Sequence, residues 1–536
     1  MTYLAVPIAT KDTDQAKRQI KAAISAGAEM LELRTDYLEN LSVDLVKDLI
    51  ARARSKIGQK LPLIVTCRDA RQGGEIDYPL QLRISVLTCA LKAGAEFIDI
   101  EFENFIPTEN REKIEVALAQ NSKARVILSI HNFEGKFDNI EKLHRQILAV
   151  YPAAIPKLIY TANHINDCFQ AFDLLHRTGS NTIVFSMGAA GLITRIIAKK
   201  LGSFVTYASI DDKTATAPGQ LTIEQLKTIY RWDSINSNTE LYGLIGSPVA
   251  HSLSPVLHNV CFADIAANKL YLPLLVESRP SEGRGEGGKD EFYTFVKNVL
   301  NRPWLGFRGF SITIPHKRNG LDYTIDSRGV VEPLAKKIGA VNTLLIDERR
   351  AASGERRVSA YNTDYAGAMD AITSTLGPKA KLKDLPVAII GAGGAARAIV
   401  AGLADAGAKI KIYNRTVEKA EKLAAEFNCD FAPLDALPDL NAKLLINATS
   451  IGMHPDTDAT PLPKEYIKKD MVVFDTIYNP PQTLLLKQAK QKKAKTISGL
   501  SMFINQAAEQ FKLFTGQDAD QDLMRKTIYK CLSDLT

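Results

Sequence analysis

The sequence predicts an α/β protein of two successive parts, a (β/α)8 TIM-type barrel over residues 1–232 and a Rossmann-containing unit from residue 241 onward. Three observations carry this expectation. Eight short apolar, β-branched runs alternate with amphipathic stretches of helical period through residues 1–231. A polar, aperiodic stretch, Asp233-Ser-Ile-Asn-Ser-Asn-Thr-Glu240, then interrupts the pattern and reads as a linker. Further on, a glycine-rich turn, Gly391-Ala-Gly-Gly-Ala-Ala396, joins an apolar strand to a helix.

The eight runs are 3–9, 30–36, 63–69, 97–103, 125–133, 155–163, 182–188 and 204–210. Helix candidates Asp14–Gly27, Val43–Gly58, Leu80–Gly94 and Ile140–Tyr151 lie between them, several ending at glycine as C-capped helices do. A ninth amphipathic stretch, 222–232, closes the series. Eight such units suit a closed barrel, whereas fewer would suggest an open sheet. Residues 241–365 with 500–536 are expected to form a substrate-binding domain, and 366–499 a nucleotide-binding domain on which the helices of 500–535 fold back. Two insertions, Ser281–Lys289 and Glu348–Arg357, read as solvated loops.

Composition narrows the class. The 536 residues are 46% hydrophobic and 24% charged, which excludes disorder, collagen and a disulfide-stapled miniprotein. The net charge of +7, from 67 basic and 60 acidic residues without a long basic run, is too thin for a nucleic-acid binder but suits anionic metabolites. Cys67, Cys89, Cys168, Cys261, Cys429 and Cys531 are scattered, with neither zinc nor redox spacing, so reduced thiols in a cytoplasmic protein are expected. No signal or transit segment is expected ahead of Tyr3, and a monomer is favoured over a dimer. The longest apolar stretch, Val387–Ala408, contains Arg397 and Asp405 and reads as strand plus helix, not as a membrane span.

Barrel chemistry sits at the C-terminal ends of strands. Those ends offer Glu32 and Arg34, Thr66 and Arg68, Asp99 and Glu101, Ser129 and His131, and Ser186-Met-Gly188 with Arg195; Thr214-Ala-Thr-Ala-Pro-Gly-Gln220 follows the eighth strand. Lys157, within the sixth strand, is the informative residue. Burial is expected to push its amine toward the neutral form, which attacks a ketone to give a Schiff base. The alternative is a lysine that snorkels to the rim or pairs with Glu32 or Glu101. His131, one strand away, supplies the proton shuttle that imine chemistry needs, and Arg34, Arg68 and Arg195 suggest a carboxylate substrate.

Thr66-Cys-Arg68, Leu128-Ser-Ile-His131, Pro156-Lys157, Phe185-Ser-Met-Gly188 and Ala217-Pro-Gly-Gln220 together resemble type I 3-dehydroquinate dehydratase. The resemblance implies that Lys157 forms the Schiff base and His131 takes the C2 proton, then donates one to the departing hydroxyl. It implies that Arg195 holds the substrate carboxylate while Glu32, Arg34, Arg68, Thr216 and Gln220 position hydroxyls. One departure stands out: where the family carries Arg-x-x-x-Glu-Gly-Gly, this chain reads Arg68-Asp-Ala-Arg-Gln72-Gly-Gly. Gln72 accepts a hydrogen bond but cannot stabilise an imidazolium by charge, so a slower or pH-shifted dehydratase is expected. Asn132 also stands where a family aspartate is common.

In the second part, the turn Gly391–Ala396 follows strand residues Val387–Ile390 and opens a helix running to Gly407, with strand Lys409–Tyr413 next. That is the context in which backbone amides receive a pyrophosphate. Asn414-Arg415-Thr416 replaces the acid an NAD site needs, and its cation and hydroxyl favour the 2′-phosphate of NADP. Thr449, after another strand, is expected to border the cofactor. Polar islands at Ser252 and Ser254, Thr313 to Lys317, Asn342, and Asn362 to Asp364 suit a small polyol acid. Lys317 with Asp364 forms a proton-transfer couple for ketone reduction, while His251 and His316 are either bases or packing residues. These islands resemble shikimate dehydrogenase, which implies substrate contacts from Ser252, Ser254, Thr313, Asn342, Tyr478 and Gln506, catalysis by Lys317 and Asp364, and cofactor contacts from Gly391 to Ala396 and Gly499.

Both resemblances in this order resemble the bifunctional dehydratase–dehydrogenases of the shikimate pathway. They imply conversion of 3-dehydroquinate to 3-dehydroshikimate and then, with NADPH, to shikimate, without a metal, a nucleic acid or a membrane. The alternatives are an aldolase-like imine barrel fused to a quinate-preferring dehydrogenase, and a metabolite-sensing regulator built from the same modules. A regulator should have lost its reactive residues, and Lys157, His131, Lys317 and Asp364 are all present.

Overall fold

The eight apolar runs of the first part form β1 (Tyr3–Ala9), β2 (Met30–Arg34), β3 (Leu63–Thr66), β4 (Phe97–Glu101), β5 (Arg125–Asn132), β6 (Ile155–Thr161), β7 (Ile183–Met187) and β8 (Val205–Tyr207). The coordinates are a computed structural model that describes residues 1–57, 61–217, 219–250, 252–277, 289–350, 356–377 and 381–533. The strands are parallel, in the order β7-β6-β5-β4-β3-β2-β1-β8. The outer two are joined where Phe204 N–H donates to Thr182 O (2.9 Å), curling the sheet into a barrel. Strand periodicity of two turns Ile155, Lys157 and Ile159 to the same side, and Ile155 and Ile159 pack with Ala5, Met30, Ile64, Ile127 and Ile183 in the interior. The expected helices run Thr13–Ala26, Val43–Ile57, Leu80–Lys92 and Ile140–Val150.

The chain divides into two compact units, Met1–Thr239 with Leu274–Val276, and Glu240–Pro273 with Glu277–Thr536. The second contains two sheets. One holds β9 (Glu240–Gly246), β10 (Lys269–Leu275), β11 (Phe307–Ile312), β12 (Val330–Val331), β13 (Thr343–Arg350) and β14 (Arg356–Tyr361), in the order β10-β9-β11-β13-β14-β12. The stretch expected as a loop at 348–357 is therefore partly strand: β13 and β14 pair antiparallel as far as Arg350 and Arg356. The backbone ladder continues there without an apolar pattern, because main-chain hydrogen bonds do not depend on side chains. Residues 351–355, most of the 281–289 insertion, Pro218 and His251 lie outside the described residues.

The other sheet holds β15 (Pro386–Ile390), β16 (Lys409–Asn414), β17 (Asp430–Pro433), β18 (Leu444–Asn447), β19 (Val472–Asp475) and β20 (Lys495–Ser498). All are parallel, in the order β17-β16-β15-β18-β19-β20. That is the doubly wound arrangement, with its ligand crevice where the order reverses beside the first strand. The helix after β15 ends at Asp405, one turn's fraction before the expected Gly407. The long helix Gly499–Thr515 is anchored to the first sheet by Gln510, which accepts from Ser311 (2.7 Å) and donates to Thr343 (3.1 Å). Among the described residues no helix is long and apolar enough to cross a membrane, no His/Cys/Asp/Glu group is placed to hold a metal ion, and the six cysteines are free.

Candidate active sites

Lys157 reaches from β6 into the barrel and is 4% exposed. Its immediate neighbours are polar. The ammonium lies 2.6 Å from Asp99 Oδ2, 3.3 Å from the Tyr207 hydroxyl and 3.9 Å from Glu32 Oε1. The paired reading holds with Glu32 as the longer ion pair, but the shorter contact is to Asp99 of β4, and Glu101 bonds Arg68 and Arg83 instead. Parallel strands staggered around a barrel set which inward residues meet, and that stagger is not written in any one strand.

Arg68 organises the carboxylates. It is buried, not at the rim, and donates to Asp99 (2.7 Å), Glu101 (2.8 Å) and Ser129 (2.6 Å). Arg83 ties Glu101 (3.0 Å) to Asp69 (2.7 Å). Burial disfavours charge on Asp99, but the Arg68 and Lys157 cations override it and hold this carboxyl well below the usual range. Arg34 pairs with Asp36 through two bonds (2.9 and 2.7 Å) and so is already engaged. Arg195 is different. It is 2% exposed, lies 4.1 Å over the Phe185 ring, and its Nε finds no partner among the described residues. Burial pushes its guanidinium down to about 10. A buried cation with an unused donor is a ready carboxylate clamp. Glu32 accepts from Thr66 (2.7 Å), and Gln220 accepts from the Thr216 amide (2.8 Å) and hydroxyl (3.2 Å).

His131, at the end of β5, is held by Gln72, whose Oε1 meets both its backbone N–H (3.1 Å) and its Nδ1 (3.2 Å). The Gln72 amide nitrogen donates in turn to Glu103 (3.4 Å). A carboxylate only accepts, so Glu103 fixes the amide orientation, Gln72 must accept from Nδ1–H, and Nε2 keeps its lone pair. Burial, then the charges of Arg68 and Lys157, push the imidazole well below its usual value against the pull of Asp99. The result is a neutral base. Sequence reasoning missed Glu103 because nothing in its helical context marks it.

In the second unit Lys317, at the start of helix Lys317–Asp326, bonds Asp364 Oδ2 at 2.5 Å. Asp364 Oδ1 accepts from Asn342 (3.0 Å), whose amide also meets the Thr363 hydroxyl (2.9 Å). Gln506 approaches the same Asn342 amide at 3.5 Å. Tyr478 stacks on Phe503, with ring centroids 4.4 Å apart; burial raises its phenol and a bond with Ser252 lowers it, for a net rise. Ser254 begins the helix Ser254–Asp264, and Thr313 follows β11 with its N–H on Ile245 O (2.9 Å). Predicted residues of three islands, at Lys317, Asn342 and Thr363 with Asp364, therefore converge on one carboxylate–amine pair, while Ser252 meets Tyr478. His316 does not join them: it is buried, stacked 5.3 Å from Phe292 and bonded to Asn319 (3.0 Å), so it packs.

The glycine turn lies beside this pair. Gly391 adopts φ 114°, and a Cβ there would come 2.8 Å from Ala448 O, so only glycine fits. Gly393 faces open space, leaving its backbone bare. A Cβ on Gly394 would come 3.0 Å from Lys317 Cδ, so the turn passes close to the Lys317 side chain. Ala392, Ala395 and Ala396 complete the turn, with Ala396 buried under the first helical turn. Arg415 and Thr416 are exposed at the end of β16, and Asn414 donates to Thr416 O (2.8 Å), with no acid among these three. Thr449 donates to Asn447 (2.7 Å), and Asn447 donates to Asp475 (3.1 Å). Burial, against bonds from Thr483, Ile477 and Asn447, pushes the Asp475 carboxyl up to about 6. Gly499 permits close backbone approach, since a Cβ would lie 2.3 Å from Thr476 O. These residues fit a dinucleotide carrying a 2′-phosphate: bare amides at a helix start, a cation in place of an acid, and room at Gly393.

Comparison with known proteins divides the chain in the same way. Residues 4–237 match the family model for type I 3-dehydroquinase. Residues 244–344 match the shikimate dehydrogenase substrate binding domain, 374–475 the shikimate/quinate 5-dehydrogenase model, and 499–529 the shikimate 5′-dehydrogenase C-terminal domain. The chain is 33% identical over 541 residues to a chloroplastic bifunctional 3-dehydroquinate dehydratase/shikimate dehydrogenase of Arabidopsis thaliana, covering 97% of this chain and 83% of that protein. Its second part is 39% identical to an NADP(+) shikimate dehydrogenase of Methanosarcina acetivorans, covering 54% of this chain and 98% of that one. It is 40% identical to the corresponding enzyme of Methanocaldococcus jannaschii, with 55% and 98% covered.

Proposed function

The chain belongs to the family of bifunctional 3-dehydroquinate dehydratase/shikimate dehydrogenases, and on that premise we propose that its two units carry out consecutive steps. The first dehydrates 3-dehydroquinate to 3-dehydroshikimate, as a lyase. The second reduces 3-dehydroshikimate to shikimate with NADPH. The observation that carries this reading is the presence, in one chain, of a buried lysine beside a base histidine and a second lysine–aspartate pair against a dinucleotide turn.

In the barrel, Lys157 passes a proton to its partners and attacks the keto carbon. His131 Nε2 removes the proton next to the resulting iminium and returns one to the departing hydroxyl, while Gln72 holds the ring. Arg195 clamps the carboxylate; Glu32, Arg34, Arg68, Thr216 and Gln220 frame the remaining hydroxyls. In the second unit, Gly391 to Ala396, Arg415, Thr416, Thr449 and Gly499 hold NADPH, which supplies a hydride when bound. Lys317 delivers a proton to the carbonyl oxygen, and Asp364, held by Asn342, positions it. Ser252, Ser254, Thr313, Tyr478 and Gln506 frame the substrate. Residues 1–232 serve the first step, 241–365 with 500–536 bind the second substrate, and 366–499 bind the cofactor. The free, scattered cysteines support a cytoplasmic setting.

A coupled assay tests the whole reading. Addition of 3-dehydroquinate with NADPH to the purified chain should cause NADPH loss with accumulation of shikimate. Loss of NADPH only with 3-dehydroshikimate would remove the first activity, and no loss with either would remove both.

A further inference from the structure

Three groups surround the Lys157 nitrogen: Asp99 at 2.6 Å, Tyr207 at 3.3 Å and Glu32 at 3.9 Å. Two are carboxylates, which as anions only accept protons. The third is a phenol, which accepts and donates at once. Tyr207 is the last residue of β8, next to Ala5 of β1 in the register, and is 5% exposed. Its ring stands 5.8 Å from Phe185, the same ring that Arg195 covers, and Lys157 Nζ lies 4.8 Å from its centroid. The hydroxyl thus meets the amine while the ring packs beside the phenylalanine that Arg195 covers. A tyrosine kept merely for packing would not need its oxygen turned toward that amine.

We propose that Tyr207 is a catalytic residue of the dehydration, its hydroxyl carrying protons from the Lys157 nitrogen to the substrate's carbonyl oxygen while the imine forms. The proposal rests on the imine reading of Lys157 above. The nitrogen lone pair forms the C–N bond and the carbonyl π pair moves to oxygen. Tyr207 accepts one N–H proton and gives its own to that oxygen, leaving a neutral carbinolamine. In a second exchange the other N–H proton reaches the hydroxyl the same way. The C–O bond breaks, water leaves, and the nitrogen pair closes the C=N bond. Ketone plus amine becomes imine plus water, and the phenol ends unchanged. The third ammonium proton, held in the bond to Asp99, rejoins nitrogen to give the iminium. Burial, with Glu32 and Asp99 adding to it, pushes the phenol far above its usual value, so it exchanges protons rather than ionising.

The test is the rate of borohydride trapping with 3-dehydroquinate in the full chain, read by intact mass, together with kcat and KM for dehydration. Tyr207→Phe keeps the ring and its packing. It should slow trapping and kcat by about 100-fold with KM within about threefold, a size typical of lost acid–base assistance. Incorporating 3-fluorotyrosine at 207 restores the hydroxyl and should recover trapping, which a variant impaired only in folding would not reveal. If the unaltered chain forms no adduct, the imine reading itself fails. If it does, and Tyr207→Phe traps at the same rate, the imine stands and the Tyr207 proposal is overturned. Failure of the fluorinated chain to recover would overturn it as well.

Discussion

Two lysine–aspartate pairs lie at the centres of the two units, and they differ in who else claims the carboxylate. In the barrel, Asp99 serves both Lys157 and Arg68, with both pair members nearly inaccessible (6% and 0%). In the second unit, among the described residues the Asp364 carboxylate is shared only with the neutral amide of Asn342, and the pair is more open (15% and 8%). The same two side chains thus suit different work. A doubly compensated aspartate keeps a cationic partner even if Lys157 gives up its charge, because Arg68 remains. Among the described residues Lys317 is the one cation on Asp364, so no second charge competes for that carboxylate.

The comparison breaks most visibly at Lys157. Lys157→Ala should reduce dehydration by at least about 1,000-fold and abolish the borohydride adduct, while leaving NADPH oxidation by 3-dehydroshikimate unchanged. Since Asp99 keeps Arg68, the variant should stay folded; a melting curve that collapses would mean the two claims on Asp99 are not independent. Lys317→Ala comes next. It should lower NADPH oxidation by about 100-fold or more with dehydration intact, and loss of both activities would show that the pairs do not act separately.

A smaller effect sharpens the contrast in protonation. His131 titrates below its ordinary range, so its neutral form is present on both sides of neutrality. Gln72→Glu places a carboxylate on Nδ1, raises the imidazole, and makes it a stronger base. The acid limb of the dehydration profile should move to higher pH and turnover near pH 7.5 should rise by about threefold. A rate that stays level or falls counts against Gln72 as the limiting departure. The smallest effect concerns Asp475, whose folded carboxyl is raised from 3.8 to about 6. A carboxyl raised on folding stabilises fully below its unfolded value, and that contribution is lost as pH rises through about 6. Asp475→Asn should therefore gain on the order of 2 kcal/mol at pH 8 relative to pH 4, seen as a flatter dependence of melting temperature on pH. An unchanged dependence would mean the three donors, not burial, govern this group.

Much of this was legible in the residues. The eight runs became eight strands because alternation of apolar residues survives any detail of packing, and Lys157 was placed inward by the same period as Ile155 and Ile159. The glycine turn and the missing acid at 414–416 were equally local. What the sequence concealed depends on stagger and on long-range pairing. Asp99 meets Lys157 across 58 positions, Asp36 occupies Arg34, and Tyr207 turns its hydroxyl inward from the eighth strand. The hairpin arms near Arg350 and Arg356 were hidden for a different reason, since backbone pairing there has no apolar signature. Glu103 carried no signal until Gln72 was seen to lean on it.

The near-touch of Gly394 and Lys317 has a mutational corollary. Arg415 lies on an exposed surface, whereas the glycine turn at Gly394 shares its packing with the Lys317 side chain. A bulkier residue at this single position would have to push the Lys317 side chain aside. Exchanges at the exposed 415–416 surface leave that lysine undisturbed, whereas an exchange at 394 does not.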